Sequence, residues 1–114
     1  MTYEEVVTMV ASIGVPYAYY QFPQGTEQPC PFICFYFDSS NDFAADGTNY
    51  QPIRSLTIEL YTDAKDFELE QTVEDTLNSN GLVFSRMESY IDSEKMNMVT
   101  YTTEIVITKE NNDG

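Results

Sequence analysis

The sequence predicts an α+β domain: a mostly antiparallel sheet of four to five strands with two helices packed on one face, in the order α-β-β-β-α-β-β. Three observations carry this reading. Two segments place apolar residues at helical spacing behind a capping residue. The remaining apolar runs alternate or cluster over strand-like lengths between turn residues. No internal repeat or Gly/Pro-rich linker divides the 114 residues, so the reading is a single domain over 1–114. At this length a chain buries roughly two-thirds of its unfolded surface, and its core needs no disulfide or metal staple.

Thr2 followed by Glu5 forms a capping box, and Val6, Val7, Val10 and Ile13 then recur at helical spacing. A first helix over 3–13 follows, stopped by Gly14 and Pro16. "YAYYQF" (17–22) is aromatic and extended, and the proline-rich "PQGTEQPCP" behind it reads as a turn or irregular connection. "FICFYF" (32–37) is a strand with Phe32, Cys34 and Tyr36 on one face and Ile33, Phe35 and Phe37 on the other. Apolar groups on both faces call for a central position or for a partner covering one face.

"DSSNDFAADGTNYQ" has no regular periodicity, and "IRSLTIELYT" (53–62) restores it. Leu56, Ile58 and Leu60 point one way, while Arg54, Thr57, Glu59 and Tyr61 divide between edge and opposite face. "DAKDFELEQTVEDTLNSNG" is the clearest helix, with Asp63 as N-cap and acids in the first turns, where the helix dipole favours them. Leu69, Val73, Thr76 and Leu77 form its buried stripe, and Asn80-Gly81 ends it. "LVFSRMESYI" (82–91) and "MVTYTTEIVIT" (98–108) alternate, with Val99, Tyr101, Ile105 and Ile107 on one face of the second. "DSEK" (92–95) connects them as a hairpin, and 109–114 is a polar tail expected to fray.

Charge narrows the function. With 19 acidic against 5 basic residues the net charge is -14, which repels nucleic acid and anionic membrane alike. There is no histidine, the commonest general base and transition-metal ligand. Met1 leads into "TYEEVVTMV", which lacks the basic start and apolar stretch of a signal peptide, so the expectation is synthesis in a cytosol. No apolar run approaches the roughly 20 residues of a membrane span. Cys30 and Cys34, four apart on a regular strand, would stand about 13 Å from each other. A disulfide needs Cα atoms within about 7 Å, so the pair reads as two reduced thiols.

"DSSNDFAADG" invites a calcium reading, because Asp38, Ser40 and Asp42 occupy the first three ligand positions of an EF-hand loop. The sixth position is Phe43 instead of glycine and the twelfth is Asn49 instead of glutamate, so a solvated loop of turn-forming residues is the better reading. Asp63, Asp66, Glu68, Glu70, Glu74 and Asp75 are expected to spread around the exposed circumference of the second helix. Glu59 and Glu104 sit mid-strand and face either water or a space shared with other subunits. No Ser or Cys has a histidine to activate it, and no glycine-rich phosphate loop follows a strand. Enzyme chemistry and a bound cofactor are therefore not expected. The aromatic cluster from Tyr17 to Phe37 suits core packing or a tyrosine-rich protein interface.

The stretch 43–105, with "FAADGTNY", "IELYTDAKDFELE", "SNG" and "ESYIDSEKM", resembles a family of tail-completion or tail-terminator proteins of long-tailed bacteriophages and prophages of Gram-positive bacteria. "FPQGTEQPCPFICFYF" extends the likeness over most of the chain. The resemblance implies a structural, non-enzymatic role at the junction of tail tube and head, as a ring subunit, commonly of a hexamer. Its implied partners are other tail and head-connector proteins, and its implied location is the virion tail or neck, assembled in the host cytoplasm. The long loop 39–52 is then the docking or ring-lining segment, with Asp38, Asp42, Phe43, Asp46, Asn49 and Tyr50 as contact residues. The alternative is an acidic inhibitor that mimics DNA and blocks a nucleic-acid-binding enzyme. A carboxylate metal enzyme is a third reading, and it needs several acids converging on one pocket.

Overall fold

A computed structural model of the chain describes residues 1–23, 25, 27–38 and 53–108. The first helix, α1 (Tyr3–Ala11), begins with both halves of the capping box formed. Thr2 Oγ1 accepts from the Glu5 amide at 3.1 Å, and Glu5 Oε1 accepts from the Thr2 amide at 2.8 Å. The helix ends two residues before the expected 13, where Ser12 caps it and Gly14 turns the chain at φ +94°. Val6, Met9 and Val10 are buried, whereas Val7, expected on the same stripe, is 40% exposed.

The strands are β1 (Tyr17–Tyr19), β2 (Phe32–Phe37), β3 (Ile53–Thr62), β4 (Phe84–Ile91) and β5 (Met96–Val106), with helix α2 (Phe67–Ser79) between β3 and β4. They form one sheet in the order β1-β2-β3-β5-β4. Only the β1–β2 pair is parallel. The expected α+β class, helix placement and element order hold. The register sets Ile33 opposite Leu60, Phe35 opposite Ile58, and Ile58 in turn opposite Tyr101. These side chains pack with Val6, Met9 and Val10 of α1 and Val73 and Leu77 of α2 in one apolar cluster. Each fully buried aliphatic side chain in such a cluster contributes about 1.5–3 kcal/mol. Both helices therefore cover the same face, and the other face of the sheet carries neither.

Two expectations about α2 are corrected. Its N-cap is Asp66, not Asp63: Asp66 Oδ1 accepts from the Leu69 amide at 3.0 Å, the three-residue spacing that a cap requires. Asp63, Ala64 and Lys65 instead carry the chain out of β3, which leaves Lys65 free to reach acids on α2 and β4. Nor do the helix acids all face water, because Glu70 is 2% exposed. The helix closes as a Schellman motif, with Leu82 N–H donating to Leu77 O and Gly81 N–H to Asn78 O, and Gly81 at φ +74°. The loop 39–52 and the tail 109–114 lie outside the described residues.

Candidate interaction surface

Strand alternation and the register put Phe32, Cys34 and Tyr36 of β2 on the helix-free face beside Thr57, Glu59 and Tyr61 of β3. Phe32 lies directly opposite Tyr61, and their rings stack at 4.7 Å. Cys34 lies opposite Glu59 and Tyr36 opposite Thr57. Tyr61 donates its hydroxyl to Glu59 Oε1 at 2.8 Å, and Tyr36 donates to Glu59 Oε2 at 3.2 Å. The carboxylate is thus held between two phenols, one from its own strand and one diagonal to it across the pair. Desolvation and the neighbouring Glu59 charge push the Tyr36 hydroxyl up to about 12. Burial followed by the hydrogen bond to Glu59 pushes Tyr61 up as well.

Asp38, the first of the six expected contact residues, leaves β2 on this same face. Its amide donates to Ser55 O at 2.8 Å and its Oδ2 accepts from the buried Thr57 hydroxyl at 2.9 Å. Asp42, Phe43, Asp46, Asn49 and Tyr50 lie outside the described residues. Glu104 shares the face but pairs in register with Ser55, so it does not join Glu59, and it is exposed.

Beside Glu59 the face opens into a cleft lined by Tyr19, Tyr20, Tyr36, Phe37, Asp38 and Glu59. Tyr20 adopts φ +71°, a left-handed conformation uncommon outside glycine. Its amide is fixed by Phe35 O at 2.8 Å, and its ring stands 5.6 Å from that of Tyr36. Composition and spacing assign these tyrosines to core or interface and carry no signal for their convergence with two acids. That convergence depends on β1 pairing parallel to β2, which no local pattern announces.

A second polar assembly lies on the helix side. Lys65 Nζ meets Glu70 and Glu88 at 2.8 Å each, while Arg86 meets Glu70 at 2.8 Å and Glu74 at 3.0 Å. Tyr101 donates to Glu74 at 2.9 Å and sits nearly perpendicular to Phe84. Acids matched by cations in this way clamp α2 onto β4.

The chemistry available is limited. Burial and the Glu59 charge raise the Cys34 thiol, and burial and Asp63 raise Cys30, which disfavours the reactive thiolate at either. Both cysteines are free. Among the described residues no group of three or more His, Cys, Asp or Glu is placed to hold a metal ion. No helix among them is long and apolar enough to cross a membrane.

No model of a known protein family matches the chain. No curated protein matches it either. Among solved structures, the fold is similar to that of a chain in a structure described as the virion of a native gene transfer agent particle. The TM-score is 0.58 and the alignment covers 84% of this chain and 81% of that chain, at 16% identity. At that identity the likeness is one of fold.

Proposed function

We propose that the chain is a structural virion assembly protein that caps the tail tube, joins tail to head, or does both, as a subunit of a ring. The observation that carries the proposal is the fold shared over 84% of the chain with a component of a gene transfer agent virion. The resemblance of 43–105 to tail-completion proteins points the same way. Two features of the sheet suit a ring. Its edges differ, the three residues of β1 on one side and the eight of β4 on the other, and a closed head-to-tail ring joins non-identical edges. β4 is exposed along almost its whole length, with Met87 73% and Tyr90 57% exposed.

On this reading the partners are tail and head-connector proteins and further copies of the chain, and the place of work is the tail or neck of the particle. Asp38, Asp42, Phe43, Asp46, Asn49 and Tyr50 belong to its contact region. A DNA mimic would array unpaired carboxylates along one strip, whereas Glu70, Glu74 and Glu88 are bonded to Lys65 and Arg86. That observation favours the assembly reading over the inhibitor. The test is sedimentation of the purified chain with purified tail tubes, followed by electron microscopy of the tube ends. Co-sedimentation and a cap of density at one end are expected. Absence of association at every salt concentration tried would remove the proposal.

A further inference from the structure

We infer that the cleft formed by Tyr19, Tyr20, Tyr36, Phe37, Asp38 and Glu59 receives an arginine side chain of a partner protein. The inference rests on the assembly reading only for where that partner is met; the chemistry of the cleft is argued from its own residues.

The first argument is charge. Asp38 and Glu59 both line the cleft, and among the described residues the side-chain hydrogen bonds they accept come from the neutral hydroxyls of Thr57, Tyr36 and Tyr61. Hydroxyl donors orient a carboxylate without neutralising it. Among the described residues no lysine or arginine forms an ion pair with either acid. Alternation puts Arg54 and Arg86 on the opposite face of the sheet; Arg54 lines the adjoining cleft with Tyr3, Val7 and Asp38, so Asp38 borders both clefts and Glu59 is the acid that faces this one alone. Lys65 is bonded to Glu70 and Glu88, and Lys95 lies in the β4–β5 turn. A half-buried carboxylate left without a counter-charge attracts an external cation, and an anion or a neutral apolar group is disfavoured.

The second argument is shape. Tyr20 and Tyr36 present rings 5.6 Å apart at an angle of 49°, with the carboxylates beside them. The left-handed backbone at Tyr20 is an unfavourable conformation, and it turns this ring toward Tyr36. A planar guanidinium stacks on a tyrosine face and offers paired N–H donors to a carboxylate in the same plane. An ammonium is a more strongly hydrated point charge and uses only part of this geometry.

The occupant is a different protein and not a second copy of the chain. A second copy offers two arginines within the described residues; Arg86 is already engaged by Glu70 and Glu74, and Arg54 lines the adjoining cleft beside its own chain's Asp38. Bringing two copies of a chain of net charge -14 face to face also opposes carboxylate to carboxylate.

The test is a nuclear magnetic resonance titration of the full chain with Nα-acetyl-arginine amide, alongside the lysine and the uncharged citrulline analogues. Saturating shifts confined to the region of Tyr20, Tyr36 and Glu59 are expected with arginine, and none with citrulline. Glu59→Gln weakens binding about tenfold, the scale of one charge-assisted hydrogen bond. Glu68→Gln, which removes the same charge from exposed helix surface, leaves binding unchanged. Tyr20 is 67% exposed, so Tyr20→Ala keeps the fold and weakens arginine binding even if Glu59→Gln does not fold. Shifts spread over acids of both faces, lysine binding as tightly as arginine, or undiminished binding by the folded variants would each overturn the inference. Sedimentation with tail tubes separates the two proposals. If the wild-type chain binds tubes and Tyr20→Ala binds equally well, the partner assignment falls while the assembly reading stands. If the wild-type chain binds no tubes, the assembly reading falls and the titration still decides the cleft.

Discussion

Glu70 is where a side chain is placed against its type. Its neighbours on the buried stripe of α2 are Val73 and Leu77, three and seven positions on, so helical geometry puts it inside whatever its charge. That spacing is present in the sequence, but a carboxylate on a helix is ordinarily solvated, so residue type points the opposite way from position. What no helix pattern could supply was the compensation, because Arg86 comes from the core-facing side of β4, opposite Tyr101. The Glu70 side chain is 3% exposed and takes both cations on Oε1, while Oε2 has no hydrogen-bond partner among the described residues. Removing one partner of a buried pair costs about 3–5 kcal/mol, and the partial exposure of Arg86 reduces this. Arg86→Met is expected to lower stability by about 2 kcal/mol in urea unfolding. Adding Glu70→Met should restore much of the loss, since a well-packed apolar pair often replaces a buried ion pair without penalty. A double variant less stable than Arg86→Met alone would mean that Glu70 stabilises through something other than this charge match.

At the scale of elements, legibility followed locality. β2 and β3 occupy the expected ranges, because a prolonged apolar run or clean alternation sits between proline and polar boundaries. The two-sided apolar character of β2 is also explained: one face meets the helices, and on the other Phe32 stacks on Tyr61 while Cys34 is buried. β1 was visible only as an extended aromatic stretch, since its three-residue parallel pairing is a long-range event. β5 starts at Met96, earlier than 98, because the turn needs only 92–95, with Lys95 at φ +51°. On the proposed assembly reading, the connection from β2 to β3 is where fold and function can be separated by deletion. The two strands pair down to Phe37 opposite Leu56, and the Asp38 amide then bonds Ser55 O. Closing such a hairpin takes about 2–5 residues, far fewer than the fourteen positions 39–52 provide. Deleting 41–48 should leave the circular dichroism spectrum and the urea midpoint near wild type while abolishing attachment to tail tubes. Attachment that survives the deletion would remove 39–52 from the contact region.

For the whole molecule the governing quantity is the net charge of -14. Two of the five cations, Lys65 and Arg86, are used in the clamp between α2 and β4 together with Glu70, Glu74 and Glu88, so nearly all of the net negative charge lies on the rest of the chain. Two electrostatic effects of opposite sign therefore act on folding. Screening weakens the clamp, but Glu70 and Arg86 meet where water is partly excluded, and salt acts less on such pairs. Screening also relieves the repulsion among surface carboxylates, which are exposed to the full effect. With the Debye length falling from about 30 Å at 0.01 M to about 3 Å at 1 M, the second effect should prevail. The urea midpoint is expected to rise as sodium chloride is raised from about 0.01 M to about 0.5 M, a range set by that screening length. A midpoint that falls with salt would show that the clamp, and not surface repulsion, dominates the electrostatics of the fold. On the proposed assembly reading, screening should help subunits of like charge to close a ring and should weaken the binding of an arginine in the Glu59 cleft. Ring contacts and partner docking should therefore respond to salt with opposite signs.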